Sequence, residues 1–179
     1  MGGRRKLPAW ASREEFLSYI NESRGVVVTG ETGCGKTTQI PQYIHELQPQ
    51  AKVVVCQPRR LAAVGVATRV AEERACALGD EVGYMVRGDS KCTARTRLAF
   101  CTYGVMLRRL LDDPLLEGID YVILDEVHER NVDSDFALAL LATALGSDKC
   151  RFKLILMSAT ISTDKFALYL GKAISGRLG

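Results

Sequence analysis

Apolar residues along this chain fall into short continuous runs separated by longer stretches of helical periodicity. The runs are "GVVVTG" (25–30), "KVVVCQP" (52–58), "EVGYMVRG" (81–88), "RLAFCT" (97–102), "YVILDE" (121–126) and "KLILMSAT" (153–160). Most are uniformly apolar rather than alternating, the pattern of strands buried on both faces, as in a parallel sheet. Between them the spacing predicts helices over 12–22, 36–47, 60–78, 103–111 and 134–145. Ser12, three residues before Glu15, reads as a capping box, and Gly79 as the stop of the third helix. Strand–helix alternation predicts an α/β domain with a mostly parallel sheet, helices on both faces and right-handed crossovers. No internal repeat, low-complexity segment or interior linker divides it. Residues 1–179 read as one domain, with 1–24 a helix and lead-in and 171–179 a weak helix tail at an artificial boundary or a natural terminus.

The turn after the first run carries the first candidate chemistry. "GETGCGKTT" fits GxxxxGK[ST] from Gly30 to Thr37, between a predicted strand and a predicted helix. Glycines let successive backbone N–H groups curl toward phosphate oxygens, and the following helix adds its positive N-terminal end. Gly30, Glu31, Thr32, Gly33, Cys34, Gly35, Lys36, Thr37 and Thr38 are therefore candidate nucleotide-binding residues. Lys36 is expected to reach the β- and γ-phosphates, and the Thr37 hydroxyl to ligate Mg²⁺. Cys34 reads as a tolerated small side chain.

The fifth run ends abruptly in charge, as "YVILDEVHER". Carboxylates beside a core are costly unless paired or holding a metal. In an open parallel sheet, ligands collect at the carboxyl ends of strands, so Asp125 and Glu126 should face the same crevice as the phosphate loop. Asp125 is expected to hold Mg²⁺ with Thr37. Glu126, also near the metal, is expected to orient and deprotonate a water that attacks the γ-phosphate. Taken alone, the pair also reads as a helix cap with surface charges.

Composition bounds the rest. A content of 47% apolar and 25% charged residues is ordinary for a globular chain, and a net charge of +3 does not by itself demand nucleic acid. The basic clusters "GRRK", "PRR" and "LRRL" are either solvated helix faces or a polyanion track. No apolar run approaches the ~20 residues of a membrane span. The start "MGGRRKLPAW" lacks a signal core and the Ser or Thr of a myristoylation signal. Cys34, Cys56, Cys76, Cys92, Cys101 and Cys150 form no CxxC pair and complete no zinc pattern, so reduced thiols and an intracellular location are expected.

Five segments in order carry a family resemblance. "GETGCGKTTQIPQ", "QPRRLAA" (57–63), "CTYGVMLRRL" (101–110), "DEVHER" and "SAT" (158–160) resemble motifs I, Ia, Ib, II and III of the DEAH/DExH-box helicases, with Val127 where many members have Ala. The resemblance covers about residues 10–170 and implies a RecA-like P-loop NTPase domain that binds ATP, Mg²⁺ and single-stranded RNA. It implies that Arg69 stacks on adenine, and that Arg59, Arg60, Arg87 and Thr102 contact the RNA backbone without reading sequence. His128 would link the nucleotide site to the motif III serine or to a second domain, while Ser158 and Thr160 couple hydrolysis to strand movement. It also implies partners: a second RecA-like domain supplying arginines to the γ-phosphate, and further C-terminal modules. His45, outside every motif, reads as a surface helix residue. Three readings stay open: the nucleotide-binding half of an RNA helicase, an ATP- and RNA-binding module that does not unwind, and an unrelated phosphate-loop ATPase.

Overall fold

The computed structural model describes residues 8–159 and 174–177. The elements run α1 (Pro8–Ala11), α2 (Arg13–Glu22), β1 (Gly25–Thr29), α3 (Lys36–Leu47), β2 (Val53–Gln57), α4 (Arg60–Glu73), β3 (Val82–Val86), β4 (Asp89–Lys91), β5 (Leu98–Thr102), α5 (Tyr103–Asp112), β6 (Tyr121–Leu124), a 3₁₀ turn (Val127–Glu129), α6 (Val132–Leu145), β7 (Lys153–Ser158) and β8 (Ile174–Arg177). They build one sheet in the order β4-β3-β5-β2-β6-β7-β1-β8, parallel throughout except for the β3–β4 pair. The predicted α/β class is the observed one.

The continuous apolar runs follow from packing on both faces. Val53 and Val55 of β2 join one core with Phe16, Ile40, Ile44, Ala67 and Val70, from α2, α3 and α4. Val54 and Cys56 point the other way, into a second core with Met106, Leu110, Leu138 and Leu141 from α5 and α6. Because side chains alternate across a strand, a strand covered on both faces needs apolar residues at every position. Parallel order then brings the carboxyl ends of β1, β2, β5, β6 and β7 to one edge of the sheet.

Several boundaries depart from expectation for identifiable reasons. Ser12 precedes α2, but its side chain makes no capping bond. Glu15 instead accepts a hydrogen bond from Tyr19 Oη at 3.2 Å. Helix α4 stops at Glu73, five residues early, in a Schellman motif: Ala75 takes φ 52°, and the Cys76 and Ala75 amides donate to the Ala71 and Glu72 carbonyls. An alanine in the left-handed position gave the sequence no glycine to mark that end. Helix α6 begins at Val132, where the Asn131 side chain accepts from the Ser134 amide at 2.8 Å. β4 is an exposed, polar edge strand without hydrophobic signal. Residues 174–177, expected within a weak helix tail, form β8 beside β1, with Val26 opposite Ile174. No helix among the described residues is long and apolar enough to cross a membrane.

His45 is not on the surface. It is 2% exposed, and its Nε2 faces the Glu81 carboxylate. Arg74 donates twice to the same carboxylate, at 2.8 and 2.9 Å, tying the ends of α3 and α4 to the start of β3. The Arg74 guanidinium, with help from the His45 ring, outweighs burial and holds Glu81 down to about 2, against an ordinary 4.5. A lowered carboxyl pKa contributes stability that is fully present above the ordinary value and is lost as pH falls through the folded one. Acid should therefore erode this contribution between about pH 4.5 and about pH 2. Glu81→Gln is expected to flatten the dependence of thermal midpoint on pH across that window. An unchanged pH profile would show that the ion pair adds nothing.

Candidate functional site

The phosphate-loop candidate lies between β1 and α3. Gly33 and Gly35 take φ of 85° and 97°, which favour glycine, and so curl the loop. The Gly30 amide donates to the Ser158 carbonyl at 3.3 Å, tying the loop to the end of β7. Lys36 is 6% exposed, and its ammonium folds back onto the Gly30 carbonyl and, at 2.8 Å, the Glu31 carbonyl. Its Nζ lies 3.5 Å from Cys34 Sγ.

The two acidic residues at the end of β6 have different surroundings. Asp125 is 1% exposed. Its Oδ2 accepts from the Thr37 hydroxyl and from Gln57 Nε2, each at 2.7 Å, and its Oδ1 accepts from the Glu126 amide at 2.9 Å. Tyr103 Oη donates to the Asp125 carbonyl at 2.6 Å. Burial pushes the Asp125 carboxyl up, opposed by the bonds from Thr37 and Gln57. Glu126 is half-buried at φ 56°, a left-handed turn that swings its side chain out of the strand direction. Burial, then the neighbouring Asp125, push its carboxyl up as well. An acid with raised proton affinity beside a phosphate-loop candidate is suited to act as a general base.

His128 links this pair to β7. Its Nδ1 accepts from the Ala159 amide at 3.2 Å and lies 3.4 Å from Glu126 Oε2. The contact reaches Ala159, the residue after Ser158; Thr160 lies outside the described residues. Thr37 and Asp125 supply adjacent hard oxygen donors, the chemistry Mg²⁺ takes while keeping water and phosphate ligands. Among the described residues no group of three or more His, Cys, Asp or Glu side chains could hold a metal. A cation on Thr37 and Asp125 would therefore take most of its ligands from water and phosphate.

The polyanion candidates meet at a second place on the same sheet edge. A cleft of about 660 Å³ is lined by residues that include Pro58, Arg87, Thr102, Arg108, Asn131 and Asp133. Arg60 stands at its rim, donating to the Arg87 carbonyl at 3.0 Å. Arg59 instead pairs with Glu129, at 3.0 and 3.1 Å to its two oxygens, and is 72% exposed. Arg69 sits apart, 65% exposed on α4, paired with Glu73 at 2.9 Å. Glu73 also accepts from Gln39 and Gln42 of α3 at 3.0 and 2.9 Å, so Arg69 borders the helix that leaves the phosphate loop.

Sequence reasoning missed Gln57 and Tyr103. Gln57 carried a usable signal, since it is the polar residue ending a buried parallel strand, as Asp125 is. Tyr103 carried none, because a buried tyrosine at a helix start gives no hint of its partner.

Residues 11–167 match the profile of the DEAD/DEAH box helicases, and the chain belongs to that family. It is 45% identical over 176 residues to the DExH-box ATP-dependent RNA helicase DExH1 of Arabidopsis thaliana, covering 95% of this chain and 18% of that protein. It is 46% identical over 179 residues to DExH3 of the same plant, covering 97% and 15%. It is 45% identical over 176 residues to the RNA editing associated helicase 2 of Trypanosoma brucei brucei, covering 95% and 8%. The chain thus spans less than a fifth of the length of these curated relatives.

The raised Asp125 carboxyl has a stability consequence. A folded-state pKa above the ordinary value means that the ionised carboxylate weakens the fold, and that this penalty grows as pH rises. Asp125→Asn, which cannot ionise, is expected to flatten the fall of the thermal midpoint as pH rises through the carboxylate range. A pH profile unchanged by the substitution would show that burial of this carboxylate carries no such penalty.

Proposed function

We propose that this chain is the nucleotide-binding half of an ATP-dependent RNA helicase. The observation that carries the reading is the 2.7 Å bond between the Thr37 hydroxyl and the Asp125 carboxylate. It joins two motifs 88 residues apart, as one Mg²⁺–phosphate site requires. Gly30–Thr38 would cradle the phosphates through backbone donors. Lys36 would exchange its loop carbonyls for β- and γ-oxygens. Mg²⁺ held by Thr37 and Asp125 would neutralise phosphate charge. Glu126 would hold the attacking water and accept its proton, and His128 would carry the state of that site to Ala159 and the end of β7, where Ser158 lies. Arg69 would lie against the base, an aspecific stack that leaves ATP and GTP within about tenfold, or ~1.4 kcal/mol.

Arg60, Arg87 and Thr102 would hold single-stranded RNA by its backbone, with Arg59 nearby. Their convergence on one cleft favours this over an unrelated phosphate-loop ATPase. Intact Lys36, Thr37, Asp125 and Glu126 favour hydrolysis over a passive binding module. A second RecA-like domain would supply the arginines that stabilise the transferring phosphoryl group. All six cysteines are free, which suits a reducing compartment.

Alone, the chain should be nearly inert as an ATPase, because an arginine finger is worth roughly 10³–10⁵ in kcat. Adding the second domain, in trans or fused, should restore RNA-stimulated turnover, and Glu126→Gln in that enzyme should keep ATP binding while losing hydrolysis. Brisk turnover by the chain alone would refute this division of labour.

RNA binding should be weak, indifferent to sequence and salt-sensitive, since phosphate contacts position without specifying. About two neutralised phosphates give a log–log salt slope near −1.4 for single strands, at about −0.7 each. Arg87→Ala should make the slope shallower by about 0.7 in fluorescence-anisotropy titrations, weakening all sequences alike. An unchanged slope would remove Arg87 from the RNA track.

A further inference from the structure

Helix α1 is a single turn, Pro8–Ala11, too short to hold its own shape in water. Its position is set by what it touches. Ala9 is 1% exposed. The Trp10 ring meets the fully buried Tyr43 of α3 edge-on, with centroids 5.9 Å apart and planes at 75°. Arg13 completes the stack, its guanidinium 5.7 Å from the Trp10 centroid and 5.5 Å from that of Tyr43, and it pairs with Glu46 at 3.4 Å. Aromatic and cation–π contacts of this kind stabilise beyond the burial of their area alone. The turn is thereby clamped to the helix that begins at Lys36.

The other side of the same turn reaches the phosphate loop. The Ala9 amide donates to the Cys34 carbonyl at 3.2 Å. Cys34 stands between Gly33 and Gly35, the two left-handed glycines of the loop. In a trans peptide the C=O and the following N–H point in opposite directions. Holding the Cys34 carbonyl outward, onto α1, therefore aims the Gly35 amide the opposite way, into the curl of the loop. Without an external donor, two neighbouring glycines would leave that peptide free to rotate, at an entropic cost to any anion that needs its N–H.

We infer that the Pro8–Ala11 turn is a positioning element for the phosphate loop, with Trp10 as its anchor. The inference rests on the nucleotide reading above: the turn pre-orients one phosphate-facing amide, and so couples the chain N-terminal to the loop with nucleotide affinity. It requires that the effect fall on phosphates and not on the base.

The test is a calorimetric titration of the whole chain with Mg-ATP and, separately, with Mg-pyrophosphate. Trp10→Ala should weaken both ligands alike, by about fivefold, the size expected for one lost hydrogen-bond donor. Trp10→Phe, which keeps the aromatic contact to Tyr43, should stay within about twofold of wild type on the same scale. If Trp10→Ala does not melt cooperatively, Arg13→Ala removes the outer member of the stack and should weaken both ligands in parallel. Unchanged affinity in a folded Trp10→Ala or Arg13→Ala protein would overturn the inference while leaving the nucleotide site standing. So would a loss confined to ATP, since that would place Trp10 at the base. A wild-type chain that binds neither ligand would overturn the nucleotide reading itself, and the inference with it.

Discussion

One buried carboxylate sets the conditions that the surrounding structure meets. Asp125 lies at the end of β6 with almost no exposure, and burying an ion there costs several kcal/mol. Three donors answer it: the Thr37 hydroxyl, the Gln57 amide and the Glu126 backbone. Hydrogen bonds to a charged group contribute about 1.5–3 kcal/mol each. They do not fully offset burial, because the carboxyl is still pushed up. The remaining deficit is what a cation would relieve, and it is a reason for such a carboxylate to persist at a site rather than in a core.

The three donors come from three different elements, and the parallel sheet is what brings them together. Thr37 stands at the start of α3, Gln57 at the end of β2 and Glu126 just past β6. With β2 beside β6 in register, Cys56 faces Leu124, and the Asp125 amide donates to the Cys56 carbonyl at 3.0 Å. A slip of one residue in that register would turn Gln57 to the other face of the sheet and leave Asp125 short of a donor. The same alignment puts Thr102 at the end of β5 and Tyr103 under Asp125, so the cleft lined by Arg87 and Thr102 shares a wall with the carboxylate site. Tyr103 is the shared residue: it lines the cleft and bonds the Asp125 carbonyl.

Much of this was legible in the chain. Continuous apolar runs announced two-sided burial, and glycines at 33 and 35 announced a curled loop before a helix. Asp125 and Glu126 declared themselves by standing where apolar residues stop. What was not legible depends on partners far away in sequence or on conformations that residue type does not mark. Ala75 ends α4 in a left-handed turn with no glycine to signal it. His45 is polar and unremarkable in its helix, yet is buried because Glu81 and Arg74 arrive from elsewhere to meet it. The strand at 174–177 has a partner, β1, on the opposite side of the sequence, and its short, glycine-containing segment shows no alternation of its own. Arg59 and Arg60 look equivalent in "PRR", but only geometry separates the one paired with Glu129 from the one at the cleft.

The reading stands or falls on the ends of β1 and β6 forming one phosphate site. The most direct measurement is calorimetric titration of Mg-ATP into the chain, beside the same titration of Lys36→Ala. One nucleotide per chain is expected for the wild type and no measurable binding for the variant, with cooperative melting retained by both. Undiminished binding by a folded Lys36→Ala protein would place the nucleotide elsewhere, away from the ends of β1 and β6.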